Sequence, residues 1–253
     1  MGTKVIGGIL GANKGRRYQA SSDPTRYDYS TASNIVNLSN GTISFWFKIF
    51  SGGNSDTYNS YSDIFSIYNP TIPAEFTIGL VRTGGGRTIR KYTVGTTMYE
   101  GMPQLFTTNF NDSANKDVWF HFCFAKGGIS TLNGNVGNIV NNAWFSDVPT
   151  NSSNPTKYLK FGQTDYNSRY PGRVGNLGKN IGLTKPFILD TAITASDMND
   201  IYNAGITFDP RKSKWADNLL SFWPLEDKGA VLNDVVGSNN LTGSTGGPLW
   251  ANY

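Results

Sequence analysis

The chain has 253 residues, of which 29 are glycine, 13% are aromatic and 16% are charged, a balance that suits short strands joined by many turns and excludes a helix bundle. Its formal charge of +4, from 22 basic and 18 acidic residues, is mild and spread along the chain, which excludes a nucleic-acid footprint. One cysteine and one histidine exclude an internal disulfide and a Cys/His zinc site, and no apolar run approaches the roughly 20 residues of a membrane-spanning helix.

Residues 1–26 read as a Gly-rich basic arm, in which Lys4, Lys14, Arg16 and Arg17 are expected to dock on an acidic neighbouring protein. "VIGGIL" is too short for the core of a secretion signal, and Ile6 stands where a myristoylation signal needs Ser or Thr. Synthesis in a cytoplasm is the expectation. Residues 27–253 read as one domain, because the roughly 40 residues that follow the connector "DPRKSK" are too few to bury a core of their own.

The first clear strand is "TISFWFKIF". Alternation puts Ile43, Phe45, Phe47 and Ile49 on one face and Ser44, Trp46, Lys48 and Phe50 on the other, so both faces carry aromatic residues. The loop "NSDTYNSYSD" follows, with Tyr58, Asn59 and Tyr61. Strands are expected at "DIFSIYN", "AEFTIGLVR" and "TIRKYTVG", the last two forming a hairpin that turns at Gly84, Gly85 and Gly86. A phosphate-cradling loop would need a Gly-Lys-Ser/Thr run and a following helix, which are lacking there.

"VWFHFCFAKG" repeats the two-faced pattern, with Phe120, Phe122 and Phe124 alternating with Trp119, His121 and Cys123. Such strands belong inside a sheet covered on both sides, by a second sheet on one face and by a loop, helix or second subunit on the other. His121 and Cys123 share a face, but a catalytic pair would need an orienting third group and an open cleft, so both are assigned to the core. After the strand "KYLKFGQ", the loop "TDYNSRYPGR" presents Asp165, Tyr166, Asn167, Arg169 and Tyr170. With Tyr58 and Tyr61, these are the candidate ligand-binding residues, since loops held by a rigid sheet commonly carry function.

The strand "KPFILDTAI" leads into one short helix. Thr194 is expected to cap the amide of Asp197, whose carboxylate completes a capping box; Met198, Ile201 and Tyr202 share a face, and Gly205 suits the stop. "NLLSFWPL" is the last strong strand. Glu226 and Asp227 behind it are neighbours that a strand would point to opposite faces, and Asp234 begins a turn where a short carboxylate bonds backbone amides. None of these acids is expected to be catalytic.

In order, "TISFWFK", "WFH", "LKFG" and "KPFILDTAITASDMNDIYNAG" resemble the motifs of the laminin-G-like, concanavalin A-like jelly rolls, over residues 27–206. The resemblance implies an all-β jelly-roll β-sandwich with one short helix. "LLSFWPLEDKGAVLNDVVGSNNLTG" is similar to a segment that accompanies such domains, here placed after the helix, and its "GSNNLT" ending resembles that of virion-associated proteins of tailed bacteriophages. One departure is that "GKNIGLTK" replaces the family's usual "G-x-I-D-E-V" and removes two acidic residues. No cofactor or metal is expected, calcium being the one ion that the resemblance raises.

The resemblance implies a non-enzymatic virion structural protein: a capsid decoration, head fibre or tail component. The arm would contact other virion proteins, and loops or the two-faced sheet would contact subunits of a small homo-oligomer or glycans of a host surface. The alternatives are a stand-alone carbohydrate-binding module and a glycoside hydrolase of the same fold. The hydrolase needs two carboxylates about 5 to 9 Å apart, whereas Glu75, Glu100 and Glu226 are scattered and no alternating acid pair lies on one strand.

Overall fold

A computed structural model describes residues 14–18, 28–30, 33–49, 61–69, 75–83, 86–92, 104–110, 112–138, 144–148, 152–153, 156–161, 181–225, 231–243 and 249–252. Its strands are β1 (Lys14–Tyr18), β2 (Asp28–Ser30), β3 (Thr42–Ile49), β4 (Tyr61–Tyr68), β5 (Glu75–Thr83), β6 (Gly86–Tyr92), β7 (Trp119–Ala125) and β8 (Ser130–Leu132). They continue with β9 (Asn135–Val136), β10 (Tyr158–Phe161), β11 (Ile181–Leu189), β12 (Leu219–Phe222), β13 (Val231–Leu232), β14 (Leu241–Gly243) and β15 (Leu249–Asn252). Two α-helices are described, α1 (Ser33–Val36) and α2 (Ala195–Ala204).

The strands form two antiparallel sheets. The first has the order β15-β1-β11-β3-β7-β8-β9, with β12 also paired to β11; the second has the order β13-β14-β2-β10-β4-β5-β6. Strand alternation sends Phe45 and Phe47 of β3 and Phe120, Phe122 and Phe124 of β7 inward, where they meet Phe65, Phe76, Leu159 and Phe161 of the second sheet in one buried cluster. Trp144 and Trp223 are fully buried in it.

The other face of the first sheet is buried as well. A second cluster joins Cys123, Phe187, Leu189 and Phe222 of the sheet to Met198 and Ile201 of α2, with Phe208 and Trp215 of the following segment packed against it. The chain's own helix and the residues after it therefore cover the sheet back that the sequence left open to a second subunit. A subunit contact through that face, as expected above, is displaced by this cover.

The helix forms where its signals lie. The Thr194 hydroxyl accepts from the Asp197 amide at 3.2 Å, the Asp197 carboxylate accepts from the Thr194 amide at 3.1 Å, and Gly205 ends the helix at φ 79°. Thr42 fixes the approach to it, donating to the Thr191 carbonyl at 2.8 Å and accepting from the Ile193 amide at 3.1 Å. Burial of Met198 and Ile201 supplies about 1.5–3 kcal/mol each, more than the cap contributes.

The hairpin of β5 and β6 closes with Thr83 opposite Gly86, as the sequence suggested; Gly84 and Gly85 lie outside the described residues. β1 was not legible as a strand: "KGRRY" has no apolar alternation, and its pairing with β11 and β15 places it in the sheet. Lys14, Arg16 and Arg17 are thus strand residues, and the sandwich extends at least to residue 14 where the sequence suggested a boundary at 27. Lys4 lies outside the described residues.

Candidate functional site

One end of the sandwich is organised by strand register. In the second sheet β10 ends at Phe161, which lies opposite Phe65 of β4 and opposite Asp28 of β2. In the first sheet Ile181, where β11 begins, lies opposite Ile49, where β3 ends. The connection 50–60 runs from β3 to β4, and the connection 162–180 runs from β10 to β11. Both therefore cross from one sheet to the other, rooted side by side on neighbouring strands at each end.

These are the two connections that carry the sequence-predicted ligand residues. Tyr61 is the first residue of β4, opposite Val81 and close to the β5–β6 hairpin. Tyr58, Asp165, Tyr166, Asn167, Arg169 and Tyr170 lie outside the described residues. The framework thus roots both connections at the same end of the sandwich.

The strand ends where β3 leads on carry a rim, built from residues that the sequence suggested only as strand. Lys48 lies opposite Trp119, and its ammonium sits 5.0 Å from the ring centroid. The Asp117 amide donates to the Ile49 carbonyl at 2.7 Å from a left-handed backbone (φ 59°), which presents Val118 with 45% of its surface exposed. Beneath, Phe110 packs on Phe120 at 5.1 Å and on Phe47 at 5.5 Å. Burial lowers the Lys48 pKa, with Asp117 opposing the shift. A half-buried indole with a cation over it and an exposed valine beside it form an amphipathic edge. Its signal in the sequence was the Lys48 and Trp119 pair at strand ends, legible only once the register was known.

The nucleophile candidates are placed elsewhere. His121 is fully buried, its Nε2 2.8 Å from the Ser44 hydroxyl, with Trp46 at 4.9 Å and Tyr202 of α2 at 6.3 Å between ring centroids. Burial lowers its pKa to about 3, and burial likewise pushes the Cys123 thiol up. A neutral imidazole and a protonated thiol under a helix have no route to a substrate. Among the described residues no group of three His, Cys, Asp or Glu side chains could hold a metal ion.

Of the acids near the last strand, Glu226 and Asp227 lie outside the described residues. Asp234 is buried in a turn. Its Oδ1 accepts from the amides of Phe222, Val236 and Gly237 at 3.0 to 3.1 Å, and its Oδ2 accepts from the Asn239 amide at 3.2 Å. Asn239 adds a bond to the Ser221 hydroxyl, and its carbonyl accepts from the Trp223 indole at 2.7 Å. Every one of these bonds ties the turn to itself or to the end of β12, which is the shaping role expected from the sequence.

Family models and curated proteins give no match to the chain. Among solved structures, it is similar to a candidate carbohydrate-binding protein from Bacteroides ovatus, with a TM-score of 0.56 and 13% identity over 94% of this chain. The chain spans 59% of that protein's length. It is also similar to a heptameric SAP-like pentraxin from Limulus polyphemus, with a TM-score of 0.53 and 13% identity, covering 92% of this chain and 95% of that one. Identity this low extends the likeness to fold and no further. The chain is an all-β jelly-roll sandwich with the architecture of lectin-like, concanavalin A-like domains.

Proposed function

We propose that this chain is a non-catalytic glycan-binding module that recognises its ligand with the connections 50–60 and 162–180. The observation that carries the reading is the register that roots both connections on neighbouring strands of both sheets. Rigid strand ends at both roots restrict the positions a loop can sample, which lowers the ordering cost of binding. Their tyrosines offer apolar ring faces with a polar tip, and Asp165, Asn167 and Arg169 offer directional donors and acceptors, the mixture that sugar hydroxyls and ring faces require. The similarity to a protein described as carbohydrate-binding supports the same class.

A glycan array probed with the purified chain, with calcium and with a chelator, tests this. Saturable binding to a defined set of glycans is expected, in a pattern unchanged by chelation. Absence of binding across the array overturns the reading, and turnover of any bound glycan overturns its non-catalytic part.

A virion location is the finer proposal, and the resemblance of residues 219–243 to segments of phage virion proteins supports it. In that setting the module would be a capsid decoration, head fibre or tail component, contacting other virion proteins through its basic N-terminal residues and host glycans through its loops. The similarity to a heptameric pentraxin supports a homo-oligomer of such modules. Mass spectrometry of density-purified particles should give this chain at a fixed ratio to the coat protein; its absence from them contradicts the location without touching the glycan reading.

A further inference from the structure

We propose that α2 is an acid-sensitive cover: protonation of His121 loosens the helix from the back of the first sheet while the sandwich beneath stays folded. His121 is the chain's one histidine, and it lies where sheet and helix meet. It stands opposite Trp46 of β3, with ring centroids 4.9 Å apart. Tyr202 of α2 lies over both rings, 6.3 Å from the imidazole and 6.1 Å from the indole, near-parallel to each. Only the tyrosine belongs to the helix.

The imidazole is provided for in one charge state. Its Nε2 has the Ser44 hydroxyl at 2.8 Å, whereas its Nδ1 is buried without a hydrogen-bond partner. An imidazolium carries an N–H on both nitrogens, so protonation would leave a charged donor unpaired in a site closed to water. No described neighbour offsets that cost with a carboxylate. β3 presents Ser44 and Trp46, with Lys48 farther along over the Trp119 ring. β7 presents the Cys123 thiol, and β8 presents Thr131 opposite it. Asn133, just past β8, is engaged through its Oδ1 by the His121 amide at 2.8 Å. α2 presents Tyr202; of its acids, Asp197 is bound to Lys214 at 2.6 Å and Asp200 is exposed.

Water can reach Nδ1 by unfolding of the sandwich or by lifting of the helix, and lifting breaks less. α2 has ten residues and two fully buried side chains, Met198 and Ile201, whereas the space between the sheets holds phenylalanines from both and two buried tryptophans. Short elements with few buried contacts open at lower free energy than core strands. Acid therefore draws on the helix first. Its release takes Tyr202 off the imidazole and uncovers Cys123, which is 0% exposed and clusters with Met198 and Ile201.

Cys123 is the chain's one thiol, so its reaction with dithiodipyridine reports the opening. The full chain is labelled at pH 7 and pH 4.5, each rate divided by that of the urea-unfolded chain at the same pH. One proton taken up per opening below pH 6.5 predicts a rise of about a hundredfold. Asp197 stays charged at both values, because its hydrogen bond with Lys214 holds its pKa below 3.8. Low urea should barely change the rate, as befits a small opening. His121→Gln should remove most of the pH dependence. Thr194→Ala, which weakens the helix cap, should speed labelling about fivefold at both pH values and carries the test if His121→Gln does not fold. The proposal is overturned by equal rates at the two pH values, by the urea dependence of whole-molecule unfolding, by full pH dependence in folded His121→Gln, or by an unchanged rate in Thr194→Ala.

Discussion

His121 is held neutral between Ser44, Trp46 and Tyr202, and the price of that placement is sensitivity to acid. Its pKa is lowered to about 3 in the fold, against 6.5 for a free imidazole, through burial. As pH falls below 6.5 the unfolded chain takes up a proton that the folded chain refuses, so this contribution to stability is full above 6.5 and declines steadily toward pH 3. Urea unfolding at pH 7 and pH 4 should show a loss on the order of a few kcal/mol from this group. A His121→Gln variant should be less stable at pH 7 and show a smaller loss between the two pH values. Asp234 gives a second prediction at this scale. Asp234→Ala strands the amides of Phe222, Val236, Gly237 and Asn239 and should cost about 2–4 kcal/mol in urea unfolding, with Asp234→Asn costing less. The turn role of Asp234 was legible because a short carboxylate before a Gly/Asn run has few other uses. The Lys48 and Trp119 pair was not, since it depends on which residue of β3 faces which residue of β7, and no local pattern sets that.

At the scale of elements, legibility followed periodicity and capping. β3, β7 and α2 were readable because alternation, a two-faced aromatic pattern and a Thr-x-x-Asp box are local signals. β1, β13 and β15 are short, Gly-rich at their borders or basic, and become strands only by pairing with neighbours far away in sequence. Two substitutions examine the elements separately. Thr194→Ala should lower stability by about 1 kcal/mol, because the exposed cap at α2 loses its bond to the Asp197 amide. Gly41→Ala should be much more damaging. Gly41 has φ 155°, and a methyl group there would run into the Leu189 carbonyl and come within 2.7 Å of the Leu38 side chain. Backbone cannot yield as a surface side chain can, so soluble expression and the unfolding midpoint should both fall sharply.

For the whole molecule, the jelly-roll class was legible from four motifs in order, and the need for some cover on the sheet back followed from strands apolar on both faces. The sequence alone left the cover undecided between the chain itself and a second subunit, because an apolar face does not name what packs on it. The candidate site was legible only as two tyrosine-rich segments; that both are rooted at one end of the sandwich required the pairing of Ile49 with Ile181 and of Phe65 with Phe161. The central claim is that these paired connections bind glycan. Calorimetric titration of the best array glycan into the unchanged chain, Tyr166→Ala and Tyr170→Ala tests it most directly. The account predicts a loss of about tenfold or more in affinity in each variant, with unfolding midpoints unchanged. Undiminished affinity in both variants, with the fold intact, would contradict it.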